Sequence, residues 1–186
     1  MKIYINDFKE GYQNIAIKNE EIDDCLDELV NDYRIIATWP YVELEIYGKG
    51  KKNDFPYFWD KGGILVISER AKNTLIDFFK NESFELLPMY LNNECYYAVH
   101  IINVEKTKNE FRENATHDVQ QIFDIEYLKK NNVVDKGIFR VYLTDDEANE
   151  KVFITEKFVE MVQNTDLKGA NYQLFWDSEV DYSDFK

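Results

Sequence analysis

Cys95 and His100 are the pair of side chains whose types could support nucleophilic catalysis in this sequence. A cysteine nucleophile needs a base within hydrogen-bond reach, and histidine is the usual base in proteins. Both residues fall in one apolar stretch with strand character, an odd number of positions apart. Because successive side chains of a strand point to opposite faces, the thiol and the imidazole should face away from each other. We therefore interpret Cys95 as a core cysteine and His100 as half-buried.

The other residues that could bind a metal ion or a phosphate lack the neighbouring residues that such sites need. Cys25 has no neighbouring thiol, and His117 stands without matching ligands, so neither predicts a zinc site. The glycine pair at 62–63 lacks the further residues of a phosphate loop, and the acids at 23–24 and 145–147 lack the spacing of an EF-hand. We predict no catalytic residue, no metal and no cofactor. A small enzyme with a cryptic Cys/His site is the least favoured alternative.

The net charge of the chain restricts the classes of macromolecule that it is expected to bind. The chain carries 36 acidic and 22 basic side chains, a net charge of −14. Phosphate backbones and anionic membranes repel such a surface, so we expect neither a nucleic-acid nor a membrane partner. The same charge favours the steered capture of a basic protein. Aromatic residues make up 16% of the chain, and they suit cores and interfaces equally well.

Cysteine usage and the first residues predict a cytoplasmic protein. The two cysteines, Cys25 and Cys95, are too few and too far apart for a disulfide framework, which indicates a reducing compartment. The N-terminus reaches Asp7 before any long apolar run, unlike a signal peptide. No run of about 18 apolar residues that would span a bilayer is present.

Hydrophobic periodicity predicts an α+β fold, with a largely antiparallel sheet and a few covering helices. Asn92 and Asn93 predict the tight turn of a hairpin. We expect residues 105–114 to form a polar, exposed connection. The predicted strands cover residues 2–5, 14–17, 41–47, 63–67, 82–88, 95–103, 137–143, 151–154 and 172–176. The predicted helices cover residues 19–30 and 70–80 and a segment containing Phe158 and Val162, and a strand and a short helix share residues 119–130.

One pattern occurs twice along the chain. An apolar strand leads into Ser68-Glu69 in the first copy and into Thr155-Glu156 in the second, and an amphipathic helix and another strand follow each. Ser and Thr are preferred helix caps, and glutamate in the first turn suits the helix dipole. The pattern predicts two related strand-helix-strand halves within a single domain, residues 1–186.

A succession of short motifs covers residues 54–176, while residues 1–53 are divergent and residues 177–186 form an acidic tail. The motifs are residues 55–59, 62–75, 84–88, 95–104, 123–130, 137–141, 152–162 and 167–175. In their order and spacing these motifs resemble immunity family eleven of bacterial polymorphic toxin systems. The resemblance implies a non-enzymatic antidote that binds and neutralises a cognate toxin domain.

If the toxin is basic, for example a nuclease, two acidic segments are the candidate binding surfaces. A solvated face is the alternative interpretation of both, and a non-inhibitory regulatory module that binds another protein is the alternative function. The candidates in the first helix are Glu20, Glu21, Asp23, Asp24, Asp27 and Glu28. The candidates in the tail are Asp177, Glu179, Asp181 and Asp184.

Overall fold

The strands form two five-stranded mixed sheets and a separate two-stranded hairpin. A computed structural model describes residues 1–19, 23–105, 110–113, 119–123, 125–142 and 151–180. The strands are β1 (Lys2–Asn6), β2 (Asn14–Ile17), β3 (Val42–Tyr47), β4 (Val66–Ser68), β5 (Phe84–Leu91), β6 (Glu94–Ile101), β7 (Val104–Glu105), β8 (Glu110–Glu113), β9 (Val119–Ile122), β10 (Ile138–Val141), β11 (Phe153–Thr155) and β12 (Tyr172–Asp177).

Five α-helices accompany these strands in the described part of the chain. They are α1 (Asp23–Asp27), α2 (Glu69–Thr74), α3 (Ile76–Phe79), α4 (Ile125–Lys130) and α5 (Glu156–Gln163). Two 3-10 helices, Glu28–Val30 and Val133–Lys136, follow α1 and α4. The α+β class is confirmed, although the strands form two sheets rather than one.

The first sheet brings strands from distant parts of the chain together. Its order is β12-β1-β11-β10-β7, and β1 is antiparallel to both β11 and β12. The second sheet has the order β2-β3-β5-β6-β4, with β3 and β5 parallel. β5 and β6 form the predicted hairpin, and Asn92 in its turn has φ +55°, the left-handed conformation that asparagine tolerates.

The two strand-helix-strand copies have the same topology. β4 and β5 are both antiparallel to β6, so they run parallel to each other with β6 between them. β11 and β12 are related to the intervening β1 in the same way. Ser68 caps α2 by accepting a hydrogen bond from the Ala71 amide at 3.0 Å, as predicted. Thr155 accepts no cap hydrogen bond from α5, and its hydroxyl donates to the Gly137 carbonyl at 3.1 Å.

Both sheets and both repeated helices contribute to one shared core. Ala71 and Leu75 of the first copy and Phe158 and Val162 of the second are buried in it, at the one-turn spacing of a helix face. The opposite face of the second sheet packs beneath Leu26 and Leu29, and the opposite face of the first sheet packs against α4. Residues 70–80 form two short helices rather than the single helix predicted.

The described part of residues 105–114 differs from the predicted polar, exposed connection in two respects. Glu105 belongs to β7 and is buried, and residues 110–113 form β8, which pairs with β9. The buried carboxylate of Glu105 is compensated by an ion pair with Lys136. That partner comes from a distant segment, so local polarity could not reveal it. Among the helices that the structure describes, none has the length and apolar character needed to cross a membrane.

Candidate functional site

Cys95 and His100 do not form a catalytic pair. Cys95 packs against the shared core together with Tyr97 and Val99, whereas His100 lies on the other face of β6, as strand alternation predicts. His100 is fully buried rather than half-buried as predicted. Both ring nitrogens have polar partners: Nδ1 lies 3.1 Å from Glu85 Oε2, and Nε2 lies 2.9 Å from the Asn31 carbonyl oxygen. The described residues contain no group of three or more His, Cys, Asp or Glu side chains suited to a metal ion. His117 lies outside the described residues.

Buried charges hold the segment that follows α1, residues 29–36, between the two sheets. Glu85 of β5 accepts the Ile35 amide at 2.8 Å. Arg140 of β10, which is 1% exposed, donates to the carbonyl oxygens of this segment at Leu29, Val30 and Asn31 and to that of Ile101. These bonds satisfy backbone groups that lie outside any regular sheet, so the charges have a structural role.

The acidic candidates are placed differently from one another. Asp27 and Glu28 are exposed, with Asp27 paired to Lys61 at 2.8 Å and Glu28 bonded to the Tyr33 hydroxyl at 2.9 Å. Glu179 is exposed, but Asp177 is buried, which argues against its direct contact with a partner. Glu20, Glu21, Asp181 and Asp184 lie outside the described residues, and only the backbone of Asp23 and Asp24 is described, within α1.

Three exposed aromatic residues and one partly buried tyrosine form a surface cluster, which we call the aromatic patch: Phe8, Tyr47 and Trp59, with Tyr57. Trp59 is central, with its ring centroid 4.6 Å from Tyr47, 5.3 Å from Tyr57 and 6.4 Å from Phe8. Phe8 is 42% exposed, Tyr47 50% and Trp59 45%. Tilted and edge-to-face rings of this kind form a rigid contact surface, because aromatic side chains have few rotatable bonds.

An extended loop positions the patch along the edge of the second sheet. The Ile15 amide donates to the Tyr57 carbonyl at 3.1 Å, and the Trp59 amide donates to the Ile15 carbonyl at 3.0 Å. This pairing makes side chains alternate, so Phe58 is fully buried while Tyr57 and Trp59 lie on the outer side. The loop therefore closes the β2 edge and presents the aromatic rings together.

The surroundings of the aromatic patch are acidic. Asp7 and Asp60 adjoin Phe8 and Trp59 in sequence, and the exposed Glu45 precedes Tyr47 on the same side of β3. Two nearby lysines are already engaged. Lys9 Nζ donates to the Ala170 carbonyl at 3.0 Å, and Lys18 pairs with Glu43 at 2.5 Å.

A cavity of about 960 Å³ opens beside the start of α2. Asp54 supports its wall. The carboxylate of Asp54 is buried and accepts hydrogen bonds from the Ser68 hydroxyl at 2.7 Å, the Arg70 guanidinium at 2.8 Å and the Lys168 amide at 2.8 Å. Three segments that are far apart in sequence therefore meet at one side chain.

Two tyrosines on β6, Tyr96 and Tyr97, stay neutral, and Tyr96 lines this cavity. Burial, with Glu94 nearby, raises the pKa of Tyr96 to about 12. Burial also raises the pKa of Tyr97, and a hydrogen bond with Cys95 adds to the effect. Both hydroxyls therefore keep their protons at neutral pH, and the Tyr97 hydroxyl accepts a hydrogen bond from Lys72 at 2.9 Å.

No family model matches this chain, and no curated protein matches it significantly. The resemblance to immunity family eleven stays a prediction that rests on the order of the motifs. Sequence reasoning nominated acids and did not nominate the aromatic patch. The signal that could have found the patch is the alternation of Tyr57, Phe58 and Trp59 in a loop that precedes two glycines.

Proposed function

We propose that this protein is an immunity protein, which binds a cognate bacterial toxin domain and neutralises it by protein–protein contact, without catalysis. The aromatic patch is the observation that carries the proposal. Soluble proteins rarely expose clustered large apolar rings without a use, and Trp and Tyr are the residues most enriched at interface hot spots. Four rings centred on Trp59 supply such an anchor.

Charge supports the choice of a basic partner. The chain carries a net charge of −14, and the acids beside the patch would meet a cationic rim on the toxin. Neutralisation of a toxin requires nanomolar affinity or better, about 12 kcal/mol of binding free energy. A contact of about 800 Å² per partner with an aromatic centre commonly reaches that affinity.

Replacing Trp59 with Ala is the first test of this surface. We expect the dissociation constant for the toxin domain encoded by the neighbouring gene to rise about 30-fold or more, because the central ring of the patch is lost. Calorimetric titration of the purified pair measures the change. Tyr41→Ala is the matched control, because Tyr41 is also an exposed aromatic residue and stacks on Tyr90, outside the patch.

Three outcomes separate the possible functions. Copurification of the toxin, inhibition of its activity and selective weakening by Trp59→Ala together support the proposal. A stable complex in which the toxin stays active would instead indicate a non-inhibitory regulatory module. If Trp59→Ala and Tyr41→Ala have the same small effect, the aromatic patch is not the contact surface.

Charge reversal tests the contribution of the first helix. Asp27→Lys combined with Glu28→Lys should slow association with a basic toxin by about tenfold at low salt, and by much less at physiological ionic strength. Stopped-flow measurements at two salt concentrations check this expectation. The matched control is Glu126→Lys combined with Glu160→Lys, which reverses two exposed acids on α4 and α5, outside both candidate segments. An association rate that does not change at low salt would remove the first helix from the interface.

A further inference from the structure

The cavity beside α2 is locally cationic within an acidic protein. Four basic residues line it, Lys51, Lys52, Arg70 and Lys168, against three acidic residues, Asp54, Glu69 and Glu94. Over the whole chain the acids outnumber the bases, 36 to 22. Basic residues therefore outnumber acidic residues in the cavity, whereas the opposite holds for the whole chain.

The acidic residues of the cavity are mostly neutralised already. The Asp54 carboxylate is buried and accepts three hydrogen bonds from the protein, and Glu94 forms an ion pair with Lys52 at 2.6 Å. Within the part of the chain that the structure describes, neither Lys51 nor Lys168 forms an ion pair with a carboxylate. The ammonium groups of Lys51 and Lys168 can therefore bind a ligand. Glu69 is the third acidic residue that lines the cavity.

The backbones that carry these lysines are fixed in place. The Lys51 amide donates to the Gly11 carbonyl at 2.9 Å, and the Lys51 carbonyl accepts from the Gln13 amide at 2.8 Å. Lys168 is held through both of its backbone groups by Asp54. Arg70 is oriented by Asp54 at 2.8 Å and by Asp166 at 2.7 Å. Sites that are ordered before binding lose less entropy when a ligand arrives.

We propose that this cavity binds the phosphoryl group of a small phosphorylated molecule. Phosphate oxygens prefer Lys and Arg cations together with neutral donors, and Asn73 and Asn93, whose side chains carry amide donors, line the same cavity. Its volume of about 960 Å³ lies within the range of small-molecule sites, about 300–1,000 Å³. The site is independent of the proposed function, because none of the patch residues lines the cavity.

Calorimetric titrations with inorganic pyrophosphate, ribose 5-phosphate and ribose test the proposal at low ionic strength. We expect both phosphates to bind, ribose not to bind, and Lys51→Glu combined with Lys168→Glu to weaken binding by about tenfold or more. Lys129→Glu changes one charge on α4, outside the cavity, and should have little effect. Binding by pyrophosphate alone would restrict the site to inorganic phosphates. Failure of both phosphates to bind, or equal weakening by Lys129→Glu, would overturn the proposal.

A second measurement on the unaltered protein removes any dependence on the folding of the variants. Cys95 lines the cavity and Cys25 does not, and both are free cysteines of intermediate residue exposure. Ribose 5-phosphate should slow the alkylation of Cys95 by neutral iodoacetamide about threefold or more while leaving Cys25 unchanged, because a bound ligand blocks access. Mass spectrometry resolves the two sites. Equal alkylation rates of Cys95 with and without the phosphates would contradict occupation of the cavity.

Discussion

Arg140→Met is expected to lower the free energy of unfolding by about 3–5 kcal/mol. The substitution preserves much of the side-chain volume, so the loss comes from hydrogen bonding rather than from an empty space. Four carbonyl oxygens accept from this guanidinium, three of them in the 29–36 segment. A buried acceptor that loses its donor costs about 1–3 kcal/mol.

Urea denaturation followed by circular dichroism measures this effect. Lys129→Met is the matched control, because it removes an exposed cation from α4, and its loss should stay within about 0.5 kcal/mol. Arg140→Lys should fall between the two, since it keeps the charge but cannot reach all four carbonyls. A loss below about 1 kcal/mol for Arg140→Met would show that the 29–36 segment does not depend on this residue.

Asp54→Ala is expected to destabilise the protein by about 2–4 kcal/mol. The buried carboxylate accepts from Ser68, from Arg70 and from the Lys168 amide, so its removal leaves three donors to find new partners. Ser68 is also the cap of α2, and its hydroxyl would lose the bond that orients it. The start of α2 and the segment around Lys168 should therefore loosen together.

Asp166→Ala is a matched control for Asp54→Ala, because both acids bind the same arginine. The side chain of Asp166 is 82% exposed, whereas that of Asp54 is 5% exposed. Exposed ion pairs contribute at most about 1 kcal/mol, so Asp166→Ala should have a small effect in the same denaturation experiment. Similar losses for the two variants would mean that burial of Asp54 adds nothing to the strength of the network.

The sequence predicts the elements well where one short pattern determines them. β2 has the predicted bounds, and the Asn92 turn and the strand-helix-strand repeat are confirmed by the structure. Alternation also placed Cys95 and His100 on opposite faces of β6. These features depend on neighbouring residues or on one strand, and local pattern is sufficient for them.

The sequence does not predict features that depend on residues far apart in the chain. Arg140 and Glu85 are charged residues of types that usually lie on the surface. Both are buried here, where they bind backbone groups of the 29–36 segment. The aromatic patch combines three separate segments around Trp59. Such groupings arise from the order of strands in two sheets, and periodicity carries no information about that order.

The insertion of β1 between β11 and β12 sets an order of assembly on the ribosome. All five strands of the second sheet are complete once Ile101 has emerged, whereas β1 must wait for both of its neighbours. At roughly 5–20 residues per second, the chain between Ile101 and the end of β12 at Asp177 takes roughly 4–15 seconds to synthesise. The nascent chain therefore carries a second sheet whose inner face is covered by α2 and α3 but not yet by the first sheet, and this interval is when chaperones would find apolar surface to bind.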